Sequence, residues 1–329
     1  MCTAIHVKTG FDSIFLGRTM DFSYPLDPHL YVVSKGYEWT NQLNTHTIKT
    51  NYTFMGIGQD ISPVIFADGV NEMGFGIAVL YFPGYAVYDP IDRQDHQTLS
   101  ITALEVTKFL LSTCASVEQA AEILRTVRIV GLEDPVTQSV APLHWIMADK
   151  LGKCSVIEKT KQGLQIMDNP IGVLANSPDF LWHMTNLRNY MNVTPTQMEA
   201  IKWNSFSLTP FGQGAGTFGL PGDYTPPSRF VRAAFQKSHV NYSNNPKEAV
   251  IACFHVMETV SIPKGVVMTK RQTSDYTQYT AFMDLTTSQY FFKTYDNSEI
   301  VSVQMPLYSK NHGQIISLGK LNRPIHFKH

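Results

Sequence analysis

The sequence predicts an α+β protein in which antiparallel sheets are layered with pairs of helices. Segments that suit strands are short and closely spaced, as in hairpins, and helical patterns occur in blocks between them rather than in βαβ alternation. The chain has 329 residues, of which 43% are apolar and 16% are charged. This composition is typical of a folded protein with a substantial core, not of a disordered chain.

The first elements are predicted to form a hairpin at the N-terminus. The pattern of residues 2–7 predicts a strand. Residues 13–18 are its expected partner, across a turn at 8–12. A strand that begins at residue 2 would hold that residue rigidly.

The central elements are predicted to be two adjacent helices. The first is expected at 97–114, and the second begins at Ser116, where Ser116-Val117-Glu118-Gln119 matches a capping box. The later elements follow from the same patterns. Strands are predicted at 143–148, 154–158, 171–174, 279–283, 289–294 and 300–304, and helices at 228–236 and 247–260.

Residues 188–223 are rich in Asn, Thr, Gly and Pro and show no clear period. A stretch of this kind inside a compact domain is usually a functional or interface loop. Residues 214–219 match the pattern GxGxxG, but prolines follow where a phosphate-binding helix would have to begin. We therefore expect a tight glycine loop there and no dinucleotide site.

Charge and ligand spacing exclude several classes of partner. The net charge is −1, from 26 basic and 27 acidic residues without a long run of one sign, so we expect no nucleic acid and no anionic membrane surface as partner. The four cysteines are far apart, and no histidines or cysteines show metal-ligand spacing. We expect no disulfide framework, no metal and no cofactor. Without a secretory signal pattern or a long apolar stretch, the cytoplasm is the expected compartment.

Cys2 is the most informative residue of the chain. If Met1 is removed, the protein begins with a thiol and a free α-amine on adjacent carbons, which could serve as nucleophile and base. The unperturbed pKa of an α-amine, about 7.7–8.0, lies close to the value of about 8.5 for a free cysteine, so proton exchange between the groups costs little. The alternative is that Cys2 is an inert cysteine.

Four more residues are candidates for the same site. Arg18 and Asp21 end the predicted hairpin, so they could lie near residue 2, although a salt-bridged turn would look the same. Asn176 ends a predicted strand, where its amide could donate to a developing oxyanion or simply form a turn. Arg229 lies at the start of a predicted helix.

Several separate motifs resemble the choloylglycine hydrolase family, which contains conjugated bile salt hydrolases and penicillin V acylases. The resemblance runs in order along nearly the whole chain. The matching motifs are Met1-Cys2-Thr3, Gly17-Arg18-Thr19-Met20-Asp21-Phe22, Asn71-Glu72-Met73-Gly74, Pro83-Gly84-Tyr85-Ala86, Pro142-Leu143-His144-Trp145, Asn176-Ser177-Pro178-Asp179-Phe180, Gly219-Leu220-Pro221-Gly222-Asp223, Pro227-Ser228-Arg229-Phe230-Val231-Arg232 and Phe292-Lys293-Thr294-Tyr295-Asp296-Asn297.

The resemblance implies a four-layer αββα N-terminal nucleophile hydrolase sandwich of two antiparallel sheets, with 1–329 as one domain. It also implies a homotetramer, in which 188–223 would be an inter-subunit loop. The resemblance implies these catalytic roles: Cys2 as nucleophile and base, Asp21 as acceptor from the α-ammonium group, Arg18 and Arg229 as cations that stabilise the thiolate, and the Asn176 amide with the backbone N–H of Tyr81 as the oxyanion hole.

The resemblance leaves the substrate, a small-molecule amide, open. The position of Tyr81 is usually tyrosine in penicillin V acylases and asparagine in bile salt hydrolases, so a penicillin V acylase is the leading prediction and a conjugated bile salt hydrolase is the alternative. An N-acyl homoserine lactone acylase and a non-catalytic binding protein are further possibilities. Met20 and Tyr24 are expected in the substrate pocket wall, although they could equally be core residues.

Overall fold

A computed structural model of the chain describes residues 1–10, 13–92, 97–134, 138–305 and 313–325. Its strands, numbered along the chain, are β1 (Cys2–Lys8), β2 (Ile14–Phe22), β3 (His29–Val33), β4 (Glu38–Thr40), β5 (Thr47–Lys49), β6 (Phe54–Asp60), β7 (Val64–Asn71), β8 (Phe75–Tyr81), β9 (Ser100–Thr102), β10 (Arg128–Val130), β11 (Leu143–Asp149), β12 (Cys154–Thr160), β13 (Gly163–Asp168), β14 (Val173–Leu174), β15 (Ile201–Trp203), β16 (Phe206–Leu208), β17 (Tyr276–Asp284), β18 (Gln289–Thr294), β19 (Val301–Gln304) and β20 (Ile315–Lys320). The α-helices are α1 (Val106–Thr113), α2 (Val117–Leu124), α3 (Phe180–Asn186), α4 (Pro226–His239) and α5 (Pro246–Glu258), and short 3₁₀ turns occur at Ala103–Glu105, Leu187–Tyr190 and Ala215–Thr217.

Two large sheets dominate the fold. One has six strands in the order β14-β1-β2-β17-β18-β19, and the other has eight in the order β13-β12-β11-β8-β7-β6-β3-β20. Neighbouring strands in both sheets run antiparallel. Small two-stranded ladders join β4 with β5, β9 with β10, and β15 with β16.

The sheets face each other between two layers of helices. Strands β1 and β2 contact β8 of the opposite sheet, α4 and α5 cover the outer side of the six-stranded sheet, and α1 and α2 cover the eight-stranded one. One apolar cluster fills the space between the sheets and beneath α4 and α5, and a second lies beneath α1 and α2. The predicted αββα sandwich is therefore confirmed. In the described ranges, no helix is both long enough and apolar enough to cross a membrane.

Most predicted elements are present, and the errors have local causes. The prediction of one helix at 97–114 is wrong in its first half, because Ser100–Thr102 is a buried strand paired in parallel with β10. The backbone N–H of Thr102 then donates to Glu105, and α1 begins only at Val106. The strand predicted at 171–174 begins at Val173, since Gly172 has a positive φ of 61°.

Residues 188–223 are mostly irregular, as predicted, with the short β15–β16 hairpin within them. The segment carries several exposed apolar side chains, before, within and after the hairpin: Met191, Met198, Ile201, Trp203, Phe206, Phe211 and Phe218. Gly214 and Gly219 have positive φ, which confirms the expectation of a glycine loop.

Candidate active site

The pairing of β1 with β2 places Cys2 beside Arg18. Cys2 is opposite Met20, and Ala4 is opposite Arg18. Because alternate residues of a strand point to the same face, Cys2 and Arg18 share one side of the hairpin as diagonal neighbours. Nη2 of Arg18 donates a hydrogen bond to Sγ of Cys2 at 2.7 Å.

The guanidinium of Arg18 is fully buried. Its Nε donates to the carbonyl oxygen of Thr19 at 3.1 Å, and its Nη1 donates to that of Ala67 at 3.3 Å. Burial alone would lower the pKa of Arg18, but its electrostatic interactions with Cys2, Tyr279 and Asp68 outweigh burial and raise it overall. The cation beside the sulfur is therefore permanent.

Asp21 and Arg229 form a second buried pair on the side of β2 that faces α4. Oδ2 of Asp21 lies 3.7 Å from Nη1 of Arg229, and both side chains are fully buried. Asp21 also accepts hydrogen bonds from the hydroxyls of Thr277, at 2.6 Å, and Thr19, at 3.2 Å. Burial raises the pKa of Asp21, and Arg229 opposes that rise. Burial likewise lowers the pKa of Arg229, and Asp21 opposes that fall.

Helix α4 brings Arg229 to the N-terminal strand. The helix begins with Pro226 and Pro227, whose missing N–H groups suit the first turn. Nη1 of Arg229 donates to the carbonyl oxygen of Cys2 at 2.6 Å, and Nη2 donates to Oδ1 of Asn176 at 2.7 Å. One guanidinium thus holds both the backbone of the candidate nucleophile and the side chain of Asn176.

Asn176 follows β14 and is buried beside Cys2. Its Oδ1 accepts a hydrogen bond from the backbone N–H of Cys2 at 2.7 Å, and its Nδ2 donates to the carbonyl oxygen of Tyr81 at 2.6 Å. The backbone oxygen of Asn176 accepts from Nε2 of His183 in α3 at 2.8 Å. Burial lowers the pKa of His183 to about 4.

Met1 is attached in this structure, so the nitrogen of Cys2 is an amide. The α-amine of Met1 donates to the backbone oxygen of Asp21 at 2.6 Å and to Oδ2 of Asp275 at 3.3 Å. The contact predicted between the Asp21 carboxylate and the α-ammonium group of Cys2 belongs to a chain that begins at Cys2, and it stays a prediction.

Cys2 lies in the wall of a cavity of about 460 Å³. Met20, Tyr24 and Tyr81 line the same cavity, and Tyr81 is 37% exposed. Their role in binding substrate stays a prediction. Arg271 also lines it, with its guanidinium 4.7 Å from the centre of the Tyr24 ring. The other wall residues are mostly apolar, among them Leu26, Ile57, Ile65, Phe66, Val79, Leu104 and Leu143.

The sequence predictions missed several residues of the site. Asp68 of β7 lies 3.7 Å from Nη1 of Arg18, and Tyr279 and Tyr290 donate to Asp68. The available signal was a charged residue inside an apolar strand, Phe66-Ala67-Asp68-Gly69. In the described ranges, no group of three or more His, Cys, Asp and Glu side chains is arranged to hold a metal ion.

Comparisons with known proteins agree with this geometry. The family described as linear amide C-N hydrolases, choloylglycine hydrolase family, matches residues 2–312. A bile salt hydrolase/transferase from Clostridium perfringens is 34% identical, with 100% of this chain and 99% of that protein covered. A penicillin V acylase from Pectobacterium atrosepticum is 24% identical, with 69% of this chain and 58% of that protein covered.

A solved structure gives the same result. The crystal structure of the C2A mutant of conjugated bile acid hydrolase from Clostridium perfringens superposes with a TM-score of 0.91 over 100% of this chain and 99% of that chain, at 34% identity. The site geometry and the family match therefore lead to one conclusion: the chain belongs to the choloylglycine hydrolase family of linear amide C–N hydrolases.

Proposed function

We propose that this chain is a conjugated bile acid hydrolase, which cleaves the amide bond between a bile acid and glycine or taurine with Cys2 as nucleophile. The observation that carries the proposal is the Cys2 thiol, held 2.7 Å from a buried arginine in the wall of a largely apolar cavity. Such a cavity suits a large apolar acyl group, and the cation favours the thiolate.

The comparisons support bile acid conjugates better than penicillin V. The bile salt hydrolase relative matches the chain from end to end at 34% identity, whereas the penicillin V acylase matches 69% of it at 24%. The leading prediction from the sequence was a penicillin V acylase, on the basis of Tyr81. The alternative prediction therefore becomes the main proposal.

Penicillin V remains the second candidate substrate because of Tyr81. Its ring is partly exposed in the cavity wall, where it could stack on the phenoxy group. Aromatic pairs of this kind contribute about 0.5–1.5 kcal/mol beyond area burial. That preference is modest and does not exclude either substrate.

Catalysis would begin after removal of Met1, which turns the Cys2 amide into a free α-amine. The amine would accept the thiol proton, and Arg18 would stabilise the resulting thiolate by its charge and its hydrogen bond to Sγ. Asn176 Oδ1, which accepts from the Cys2 nitrogen in the structure, would orient the amine together with Asp21.

The thiolate would then attack the amide carbonyl, and its oxygen would become an oxyanion. The backbone N–H of Phe82 donates to the carbonyl oxygen of Pro142, directly before β11, at 2.7 Å, so it points toward β11. The backbone N–H and C=O groups of successive residues in a strand point to opposite sides. The N–H and the carbonyl of Tyr81 therefore point away from β11, to the side where Asn176 Nδ2 meets the Tyr81 carbonyl. The Tyr81 N–H and the second hydrogen of Asn176 Nδ2 are thus suited to form the oxyanion hole.

The remaining steps return the protons to where they began. The C–N bond breaks as the α-ammonium group protonates the leaving amine, which leaves a thioester on Cys2. A water molecule gives a proton to the α-amine and attacks the thioester, and the acid departs as the thiol is restored.

The cavity wall also supplies a cation for an anionic substrate. Burial raises the pKa of the Tyr81 hydroxyl, and the positive charge of Arg271 opposes that rise, so the two groups are close. Glycine and taurine conjugates end in a carboxylate or a sulfonate. Arg271 is therefore suited to bind the anionic end of a substrate whose apolar part fills the cavity.

The deciding experiment measures release of glycine from glycocholate, taurine from taurocholate and 6-aminopenicillanate from phenoxymethylpenicillin by the same preparation. We expect the conjugates to be hydrolysed with the higher kcat/KM. A clear preference for phenoxymethylpenicillin would replace the proposal with the second candidate. Cys2→Ala is the control, since turnover that survives this substitution would refute the mechanism.

We further propose that the chain forms a homotetramer through residues 188–223. Trp203, Phe206 and Phe218 in this segment are 70%, 69% and 91% exposed. Apolar surface clustered in one projecting segment is typical of a protein interface, and further copies of the chain are the proposed partners.

A further inference from the structure

We propose that Asp68, held by Tyr279 and Tyr290, is a positioning residue that fixes the Arg18 guanidinium against the Cys2 thiol. The inference rests on the proposed role of Cys2 as nucleophile. Asp68 itself is not among the cavity-lining residues, so it would act through Arg18.

The contacts around Asp68 account for both carboxylate oxygens. The hydroxyl of Tyr279 donates to Oδ2 at 3.0 Å, the hydroxyl of Tyr290 donates to Oδ1, and Nη1 of Arg18 lies 3.7 Å from Oδ2. The backbone of Ile57 provides a further hydrogen bond. Donors to each oxygen fix the plane of the carboxylate and hence the position of its ion-pair partner.

Burying the Asp68 carboxylate costs free energy unless its ion-pair and hydrogen-bond partners are all in place. Asp68, Arg18 and Tyr290 are all fully buried. Burial raises the pKa of Asp68, and the charge of Arg18 and the two phenol hydroxyls oppose that rise. A carboxylate buried in this position therefore needs both phenol donors and the guanidinium, and the same contacts leave Nη2 of Arg18 directed at Sγ of Cys2.

Other charged groups also face Cys2, so the effect of Asp68 has to be separated from theirs. Arg18 and Asp21 come from β2, Arg229 comes from α4, and Asp275 is the residue before β17. Tyr279 of β17 is a titratable but neutral neighbour, because burial raises the pKa of its hydroxyl well above its usual range. The α-amino group lies on the same side. None of these groups changes in a variant of Asp68 or Tyr290.

The two effects of Asp68 have opposite signs. As a negative charge alone, Asp68 would disfavour the thiolate, so its removal would make the thiol ionise at lower pH. As a positioning residue, it holds the cation in place, so its removal would make the thiol ionise at higher pH. The direction of the change therefore distinguishes positioning from background charge.

Alkylation by iodoacetamide as a function of pH measures thiolate formation without any substrate. Cys2 lines the cavity, whereas Cys114, Cys154 and Cys253 are buried outside its lining, and burial raises the pKa of each of these three thiols, that of Cys114 to about 11. Reaction of the folded protein therefore reports on Cys2, and intact mass verifies that a single group is added and whether Met1 is present.

For Asp68→Asn, we expect the pH of half-maximal alkylation to rise by about one unit. We also expect kcat for amide hydrolysis to fall by roughly tenfold at neutral pH, with KM little changed. Tyr290→Phe keeps the Asp68 charge and removes one donor, so it should change both quantities in the same direction by less. Tyr242→Phe is the matched control, since it removes a tyrosine hydroxyl bonded to the Lys237 carbonyl, away from the cavity.

A fall in the alkylation pH for Asp68→Asn would overturn the proposal in favour of a simple charge effect. An unchanged profile in Tyr290→Phe, matching that of Tyr242→Phe, would also overturn it, and this second test holds even where Asp68→Asn does not fold. Failure of the proposed function is detected separately, because it would appear as wild-type protein that does not hydrolyse bile acid conjugates, or as hydrolysis that survives Cys2→Ala.

Discussion

Arg229 contacts three separate parts of the chain through one buried guanidinium. It donates to the Cys2 carbonyl and to Asn176, and it pairs with the Asp21 carboxylate. At the scale of single residues, the site is therefore a set of buried charges whose stability and chemistry depend on the same contacts. Removal of one partner leaves the other charge buried and unpaired.

Arg229→Gln is expected to destabilise the protein by about 3–5 kcal/mol, because Asp21 loses its buried counter-charge. The double variant Asp21→Asn with Arg229→Gln should recover part of that loss while hydrolysis stays low. Urea unfolding followed by fluorescence measures the stability of the three proteins. If Arg229→Gln is as stable as the wild type, the unpaired Asp21 carboxylate does not destabilise the protein and the prediction is wrong.

Arg271→Gln is expected to raise KM for glycocholate roughly 1.5- to 5-fold with kcat unchanged, since an exposed ion pair contributes about 0.2–1 kcal/mol. The methyl ester of glycocholate lacks the negative charge, so its KM should not change. Arg125→Gln, at the end of α2 and outside the cavity lining, is the control. An equal effect on acid and ester would contradict a role in anion binding.

Helix α3 supports the site through a contact with the backbone of Asn176. Asp179 caps its N-terminus, and His183 donates from Nε2 to the backbone oxygen of Asn176. Nδ1 of His183 is buried without a hydrogen-bond partner in the described structure, so a second proton there has no acceptor. Protonation of His183 would therefore bury a charge with an unpartnered N–H, which costs free energy in the folded protein.

His183 is expected to make stability depend on pH. Burial lowers its pKa from 6.5 to about 4, so between these values the unfolded chain binds more protons and the folded protein loses stability as the pH falls. The loss amounts to roughly 3 kcal/mol in total. Burial also lowers the pKa of His6 to about 4, so His6 likewise reduces the free energy of unfolding as the pH falls.

Urea unfolding between pH 4.5 and 7.5 measures the slope of the free energy of unfolding against pH. His183→Gln should remove part of it, whereas substitution of the exposed His239 should not. A slope that is unchanged in His183→Gln would mean that another group is responsible.

The elements differ in how far the sequence could predict them. The N-terminal hairpin followed from local pattern, and it brought Arg18 to Cys2 as expected. No strand was predicted between 19 and 96, where β3 to β8 build much of the eight-stranded sheet. Strand β7 shows the reason: it contains Asp68 and Asn71 at buried positions, so its pattern is neither apolar throughout nor alternating.

The same distinction applies to the site. Cys2, Arg18, Asp21, Asn176 and Arg229 belong to recognisable motifs and do meet in the structure. Asp68, Tyr279 and Tyr290 meet only because β7 of one sheet faces β17 and β18 of the other. Contacts between facing sheets leave no periodic signal in one sequence.

At the scale of the whole molecule, the exposed apolar residues of segment 188–223 are the feature that a single sandwich does not explain. We expect the wild-type protein to be tetrameric, and the double variant Trp203→Ser with Phe211→Ser to form smaller species. Both residues are exposed and lie in or beside the β15–β16 hairpin. Light scattering coupled to gel filtration measures the mass.

Leu151→Ser is the control for that experiment, because Leu151 is another exposed apolar residue, in the turn between β11 and β12. It should leave the mass unchanged. A monomeric wild-type protein, or a double variant of unchanged mass, would contradict the proposed interface.

The contact between Cys2 and Arg229 joins residues 227 positions apart, and it has a consequence for how the enzyme is made. At a translation rate of about 5–20 residues per second, Cys2 is synthesised roughly 11–45 s before Arg229. Until then the nascent chain lacks the guanidinium that holds the Cys2 carbonyl and Asn176 and pairs with Asp21. Under the proposed mechanism, the nucleophile is among the first residues made, and its site is completed only after α4 has been synthesised and has packed on β1.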